Sequence, residues 1–433
     1  MLIEFTIKNF KTFRDKTVFS QVAANYDKET RESENVVHIP GFDLRVLKSS
    51  VVYGANASGK SKLFEALGFM QEYLLRSMEL SLMSSLNSEI SFKLDTETEQ
   101  LPSEFEVVFL SNNKIYRYGF TLLPGKVITE WLYMRSHKKE MEIYFRKGDN
   151  FKLHRSLFKR GKSIIRGGFV RESALCITVA ATFNEELALE ILGWFKRLKI
   201  FSGLTEDSFI NYTLSMITDE ERKMKVLNFL YAADMGITDI YLTPSSSLGQ
   251  SDSFNSEEYK SKLKNDLDLF YEVKTVHKKY KNGKKQSERV TFSMDSDESS
   301  GTKKFFALAG PIIEALETGS ILFVDELDSK LHPKLVLKIA QLFNSASTNP
   351  GNAQLIFNTQ STHLLSSDMF RRDQIWFVEK NRFEVSKLYS LVEIKVRRTD
   401  KFEIDYLEGR YGGMPFLDEF DDLRLSDLSG SVH

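Results

Sequence analysis

Cysteine is nearly absent. The 433-residue chain carries one, Cys176, so no intrachain disulfide can form and a reducing compartment suits it. Charge of one sign is lacking too: 59 Lys and Arg stand against 60 Asp and Glu. The chain as a whole is therefore no electrostatic trap for nucleic acid, and any such binding needs a local patch. No run approaches the roughly 18 apolar residues of a membrane span. The start, MLIEFTIKNF, puts polar residues at alternate positions and has no apolar leader core. A cytoplasmic location without a membrane partner is expected. Seven His and one Cys show no metal-ligand spacing. Repeats are missing, as are heptads long enough for a coiled-coil arm. What remains is ordinary globular composition, 42% hydrophobic and 27% charged, with 34 Phe to build a sizeable core.

Residues 2–7 alternate as a half-buried strand, and a second strand is expected through Lys16–Val22. Residues 23–45 read as polar and irregular. A strand at 50–53 leads into a glycine loop and a helix over 60–83. Segments 90–94, 103–110, 114–123, 126–134 and 141–147 alternate at period two and predict an antiparallel meander. Residues 170–235 read as helical, with apolar spacing over Glu185–Leu198 and Asp219–Ala233. A Ser-rich loop at 244–257 and a helix over 257–270 precede a hairpin that turns at Asn282-Gly283. Beyond 300 the pattern is helix 301–317, strand 320–324, helix 333–347, strand 353–358 and short strands at 374–379 and 385–391. The tail from 410 is acidic.

Gly54-Ala55-Asn56-Ala57-Ser58-Gly59-Lys60-Ser61 fits G-x-x-x-x-G-K-[ST] between a strand and a helix. Glycines let backbone N–H groups turn toward phosphate oxygens, and the helix N-terminus adds its positive end. Lys60 would reach the β- and γ-phosphates, and the Ser61 hydroxyl would meet Mg²⁺. Asn56, Ala57 and Ser58 supply the loop between the glycines. Farther on, Ile321-Leu322-Phe323-Val324 ends in Asp325 and Glu326, the look of a buried parallel strand ending in carboxylates. Asp325 would hold Mg²⁺ through water, and Glu326 would act as the general base on the attacking water. Between these motifs, Ser299-Ser300-Gly301 opens an apolar helix, a second helix start suited to an anion. One P-loop cannot use both ends of such a chain, but a dimer can.

The order of these motifs resembles the ATP-binding-cassette (ABC) class of ATPases. More narrowly, "IKNFKTF" (7–13), "GANASGKSKL" (54–63), "ESSGTKKFFAL" (298–308), "VDELDSKLHPKL" (324–335) and "GRYGGMPFL" (409–417) resemble the AAA-fifteen or OLD-related ATPases, including RloA-like and AbiL-type abortive-infection proteins. The resemblance implies an α/β, P-loop, RecA-like head with an antiparallel β subdomain and a helical insertion. It implies two ATP, with Mg²⁺, between two subunits of a homodimer or higher oligomer, in bacterial anti-phage defence. The partner it implies is a separately encoded effector, a TOPRIM or RloB-like nuclease or a toxin. Ser299, Ser300 and Gly301 match the signature loop that acts in trans. Asp328 matches the D-loop aspartate, and Phe10 with Lys11 matches a basic turn near the nucleotide. The switch departs from the pattern: Gln360 stands where the family has histidine, and His363 falls three residues late. Gln360 can hydrogen-bond phosphate or water but carries no charge, so slow hydrolysis is expected.

The expected organisation is an ATPase lobe with P-loop and meander over 1–175 and a helical insertion with basic hairpin over 176–290. Signature, Walker B and switch regions follow over 291–391, and a C-terminal extension over 392–433. His332 reads as a structural or interface residue. Dense basic stretches at 135–139, 146–166 and 277–285, interleaved with Tyr144, Phe145, Phe151, Phe158 and Tyr280, read as solvated hairpin faces or as a nucleic-acid surface. Asp266-Leu267-Asp268 resembles a metal-binding D-x-D but has no apolar strand before it. Roughly 60 residues follow the strand after the switch, about half of a small TOPRIM domain, so no nuclease in this chain is expected. The alternative function is a DNA-repair or recombination ATPase of the RecF type.

Overall fold

The computed structural model describes residues 1–25, 27–80, 90–202, 207–244, 271–366, 368–395 and 401–413. The Ser-rich loop after Pro244, the expected helix 257–270, Asp266–Asp268 and the tail beyond 413 lie outside the described residues.

Strands that are apolar on both faces build a central parallel sheet. Its spatial order is Leu198–Ser202, Ile321–Asp325, Gln354–Asn358, Ser49–Tyr53 and Ile375–Lys380, with Ser386–Ser390 antiparallel at the edge. Five strands running the same way bring Asp325, Asn358 and Tyr53 to one edge. Val52, Phe323 and Ile356 face one core, while Val51, Leu322, Val324, Leu355 and Phe357 face another.

The expected meander forms a second sheet. Leu2–Lys8 pairs antiparallel with both Thr17–Ser20 and Ser103–Ser111, and Lys114–Leu123, Lys126–Arg135, Glu140–Lys147 and Asn150–Leu153 follow in order. The helix Lys60–Leu80 lies between the two sheets. Its apolar residues Leu63, Phe64, Leu67, Met70 and Leu74 recur at three- and four-residue spacing and are buried. Phe64 meets Phe323 of the parallel sheet edge-on at 5.4 Å, and Tyr73 meets Phe120 of the other sheet at 5.6 Å. The start of this helix is the P-loop, so the same packing that closes the core fixes the loop.

On the opposite face run the helices Asp207–Ile217, Glu220–Ala232, Ser300–Thr318 and Pro333–Asn344. Pro311 sits inside Ser300–Thr318 and leaves the carbonyl four residues back without its helical donor. Thr213 repairs this from the neighbouring helix: its hydroxyl donates to Ala307 O at 2.8 Å and accepts from Gly310 N at 2.9 Å. Gly310 is required there, because a Cβ would stand 2.7 Å from the Thr213 backbone nitrogen.

Four expectations need correction. Residues 23–45 are not irregular throughout: Val36–Ile39 pairs with Leu44–Leu47, and Arg45 and buried Arg371 both reach Glu32 to hold the preceding turn. Residues 90–94 form no strand. Their backbone groups bond to the Asn9–Lys11 turn instead, Lys11 N donating to Ile90 O at 2.8 Å and Phe92 N to Asn9 Oδ1 at 3.0 Å. Leu198–Ser202, read as part of a helical stretch, is a parallel strand beside Ile321–Asp325. Five residues, three of them apolar (Leu198, Ile200 and Phe201), are too few to show a period of their own, and the partner decides their state. Arg146, counted in a basic surface stretch, is buried. Its guanidinium donates to Ala174 O at 2.6 Å and faces the buried Glu130 carboxylate at 3.7 Å.

Thr213→Val keeps the shape but removes both bonds to the broken helix turn. We expect a loss of about 1–3 kcal/mol of unfolding free energy in urea denaturation, with unchanged far-UV circular dichroism. An unchanged midpoint would mean that the helix satisfies its own break.

Candidate functional site

The P-loop is a chain of conformations that few residues adopt. Gly54 has φ 154°, Ala57 φ 61° and Gly59 φ 114°. Side chains are excluded as well as permitted: a Cβ on Gly54 would lie 2.3 Å from Val378 O, and one on Gly59 would lie 2.5 Å from Ser386 Oγ and 2.8 Å from Thr12 Oγ1. Ser386 braces the loop, its Oγ donating to Ser58 O at 2.6 Å and its N–H to Thr12 O at 2.8 Å. Asn56 and Ala57 are exposed at the tip; Ser58 and Lys60 are buried. Lys60 Nζ donates to Gly54 O at 2.6 Å and Ala55 O at 3.0 Å. Burial lowers the pKa of its ammonium, and the negative field of Glu326, Asp325 and Asp328 acts the other way.

Ser61 Oγ donates to Asp325 Oδ1 at 3.0 Å across the sheet edge. A hydroxyl and a carboxylate are hard oxygen donors of the kind magnesium takes beside phosphate. Among the described residues no three His, Cys, Asp or Glu side chains cluster as a metal cage. A cation here would complete its shell with phosphate and water. A cavity of about 450 Å³ opens at this point, lined by Phe10, Lys11, Ser61, Glu65, Phe201 and Asp325.

Asn358, fully buried, holds the two carboxylate residues in place. Its Nδ2 donates to Asp325 Oδ1, and its Oδ1 accepts from Glu326 N. Glu326 has φ 53°, a conformation uncommon for residues other than glycine. Its carbonyl accepts from the buried Lys304 at 2.9 Å.

Asp328 accepts from Gln360 N and Ser361 N, both at 3.1 Å, so within this chain it pins the loop that follows Asn358. Gln360 itself is exposed. His363 is exposed and lies 3.5 Å from the Glu403 carboxylate. His332 caps the next helix, Nδ1 accepting from Lys334 N at 3.2 Å. Ser299 caps the helix Ser300–Thr318, its Oγ accepting from Thr302 N at 3.1 Å, and Ser299 and Ser300 are exposed. A Cβ on Gly301 would stand 2.9 Å from Lys330 O, so the start of this helix lies against the segment after Asp328. Among the described residues no hydrogen bond joins 299–301 to 54–61.

Sequence reasoning passed over Asn358, Thr12 and Ser386. Asn358 had one usable signal: a polar residue ending an otherwise apolar strand beside the carboxylates. Gly412-Gly413 lies more than 350 residues from the P-loop in sequence. In space a Cβ on Gly413 would lie 3.5 Å from Gly54 Cα, and Tyr406, stacked on Phe377 at 5.4 Å, holds that segment down.

Three comparisons bear on the chain. A family model described as "AAA domain, putative AbiEii toxin, Type IV TA system" matches residues 49–215 and 228–366. Among solved structures the chain is similar to the SMC head domain from Thermotoga maritima, at 12% identity and a TM-score of 0.41, with 91% of this chain and 99% of that one covered. No curated protein matches.

Asn358→Ala removes both bonds to the carboxylate corner without touching the P-loop. Nucleotide affinity, read by equilibrium binding, should change little, while the turnover number for phosphate release should fall about 10–100-fold. A loss confined to KM would contradict this positioning role.

Proposed function

The chain belongs to this AAA family, and from that premise we propose that it is an ABC-type ATPase, a switch that binds and slowly hydrolyses ATP with Mg²⁺. Its setting is bacterial abortive-infection defence against phage, where it holds and releases a separately encoded effector, a TOPRIM or RloB-like nuclease or a toxin. The narrower kinship with OLD-related and RloA-like ATPases is part of the proposal. The family's description, with its toxin and toxin–antitoxin terms, favours a defence role.

The observation that carries the ATPase reading is the corner where Ser61, Asp325, Asn358 and Glu326 are joined by hydrogen bonds next to the P-loop lysine. In this reading Gly54, Asn56, Ala57, Ser58, Gly59 and Lys60 wrap the phosphates, with Lys60 leaving its loop carbonyls for phosphate oxygens. Ser61 and Asp325 hold Mg²⁺, which supplies charge neutralisation at the phosphates. Glu326, fixed at its backbone by Asn358 and Lys304, accepts a proton from the attacking water. Gln360 hydrogen-bonds the γ-phosphate or that water, and its neutrality makes turnover slow. Lys11 borders the same cavity.

Exposed Ser299 and Ser300 with Gly301 support action in trans, on the γ-phosphate of a second copy. Asp328 stands between that loop and the switch, at the seam of the closed dimer. ATP drives closure only by its differential affinity for closed over open heads.

Molar mass by light scattering, with and without Mg-ATP, tests the composite site. Wild type should rise toward a dimer with ATP, and Glu326→Gln should hold that mass after wild type has relaxed. A monomer in every condition removes the role assigned to Ser299–Gly301.

A further inference from the structure

Tyr271–Lys281 and Lys284–Ser293 form a hairpin whose inner half packs on Ile237–Pro244. Its outer half is different. From Lys278 to Arg289 no side chain is buried, and all but Gln286 are exposed. Like charges face each other across the ladder, Lys281 opposite Lys284 and Lys278 opposite Arg289. Such pairs destabilise a hairpin, and nothing apolar offsets them. Lys279 has Glu288 at 2.8 Å. No ion pair is described for Lys278, Lys281, Lys284 or Lys285, and Tyr280 is 60% exposed beside them. Four residues at about 3.4 Å each carry the tip roughly 14 Å beyond His277. A two-stranded ribbon of that reach fits the B-DNA major groove, about 8.5 Å deep.

The base of the hairpin is bonded to the segment before the signature loop. Thr275 Oγ1 donates to Glu298 Oε1 at 2.6 Å, and His277 Nε2 lies 2.7 Å from the same oxygen. Ser293 N donates to Asp297 Oδ2 at 2.7 Å, and Met294 N to Val273 O at 2.9 Å. Glu298 is the residue before the cap Ser299. The helix begun there carries Lys304, which holds the Glu326 carbonyl at 2.9 Å. A continuous run of bonded groups thus leads from the basic ribbon to the carboxylate corner.

We propose that the ribbon Lys278–Arg289 binds the phosphate backbone of duplex DNA, and that Glu298, held by Thr275 and His277, passes occupancy of the ribbon to the signature loop. The second half rests on the ABC-type reading above; the first does not.

Anisotropy of a short labelled duplex DNA, titrated at several salt concentrations, tests the first half without reference to hydrolysis. Four lysines on phosphates give a slope of log K against log salt of about −3 to −4. Lys281, Lys284 and Lys285 changed together to Ala should bring it to about −1. Glu288→Lys should steepen it by about one to two, a gain that misfolding cannot mimic. A wild-type slope near zero, a slope indifferent to these variants, or tighter binding of single-stranded RNA or polyglutamate at the same salt overturns the assignment. Phosphate release with and without the duplex tests the second half. The ratio should exceed about two in wild type and fall to one in Glu298→Gln, whose DNA affinity and salt slope stay as in wild type. A ratio retained in Glu298→Gln overturns the coupling and leaves DNA binding standing. A chain that hydrolyses nothing yet shows the salt slope overturns the ATPase reading and, with it, the coupling alone.

Discussion

The buried Asn358 amide donates to the Asp325 carboxylate and accepts from the Glu326 backbone N–H. The geometry of the candidate site depends on that one side chain. A parallel strand that stops leaves polar groups with no ladder partner, and a buried group left unpaired costs about 1–3 kcal/mol. The neighbouring strand answers this with its own last residue. The pairing of Val324 with Phe357 puts Asn358 beside Asp325, so the register of two strands sets the aim of two carboxylates. Asp325 is then held toward Ser61, and Glu326 is held in a left-handed conformation that its own backbone would not favour.

The second control point is the helix Ser300–Thr318. It starts at exposed Ser299 and Ser300, holds the Glu326 carbonyl through Lys304 within its first turns, and is broken at Pro311. Thr213 closes the break, which ties this helix to the helical region inserted before it. Glu298 ties its start to the basic hairpin. A movement of this helix therefore changes the carboxylate corner, the hairpin base and the exposed loop together. That coupling follows from three polar contacts at one helix.

Local chemistry was legible where neighbours in sequence act together. The Gly54–Ser61 loop declares itself because its glycines answer to backbone geometry within eight residues. The meander declares itself by alternation, and the hairpin by Asn282-Gly283 at φ 49° and 75°. Leu198–Ser202 was hidden because a five-residue segment with three apolar residues is too short to show a period. The Val36–Leu47 hairpin was hidden because Arg371, more than three hundred residues away, completes its support.

The sequence by itself determined the kinds of groups present: a G-x-x-x-x-G-K-S loop, an apolar strand ending in Asp325 and Glu326, a Ser-Gly helix start, and Gln360 with His363 three residues on. Each is a run of adjacent residues, and adjacency is what a sequence records. Only the tertiary structure decided their relations. It placed His363 at Glu403, sank Arg146 beside Glu130, set Gly413 against Gly54 and put Asn358 between the Asp325 carboxylate and the Glu326 backbone N–H. Those relations come from strand order and from burial of unpaired polar groups, which act between residues far apart in the chain.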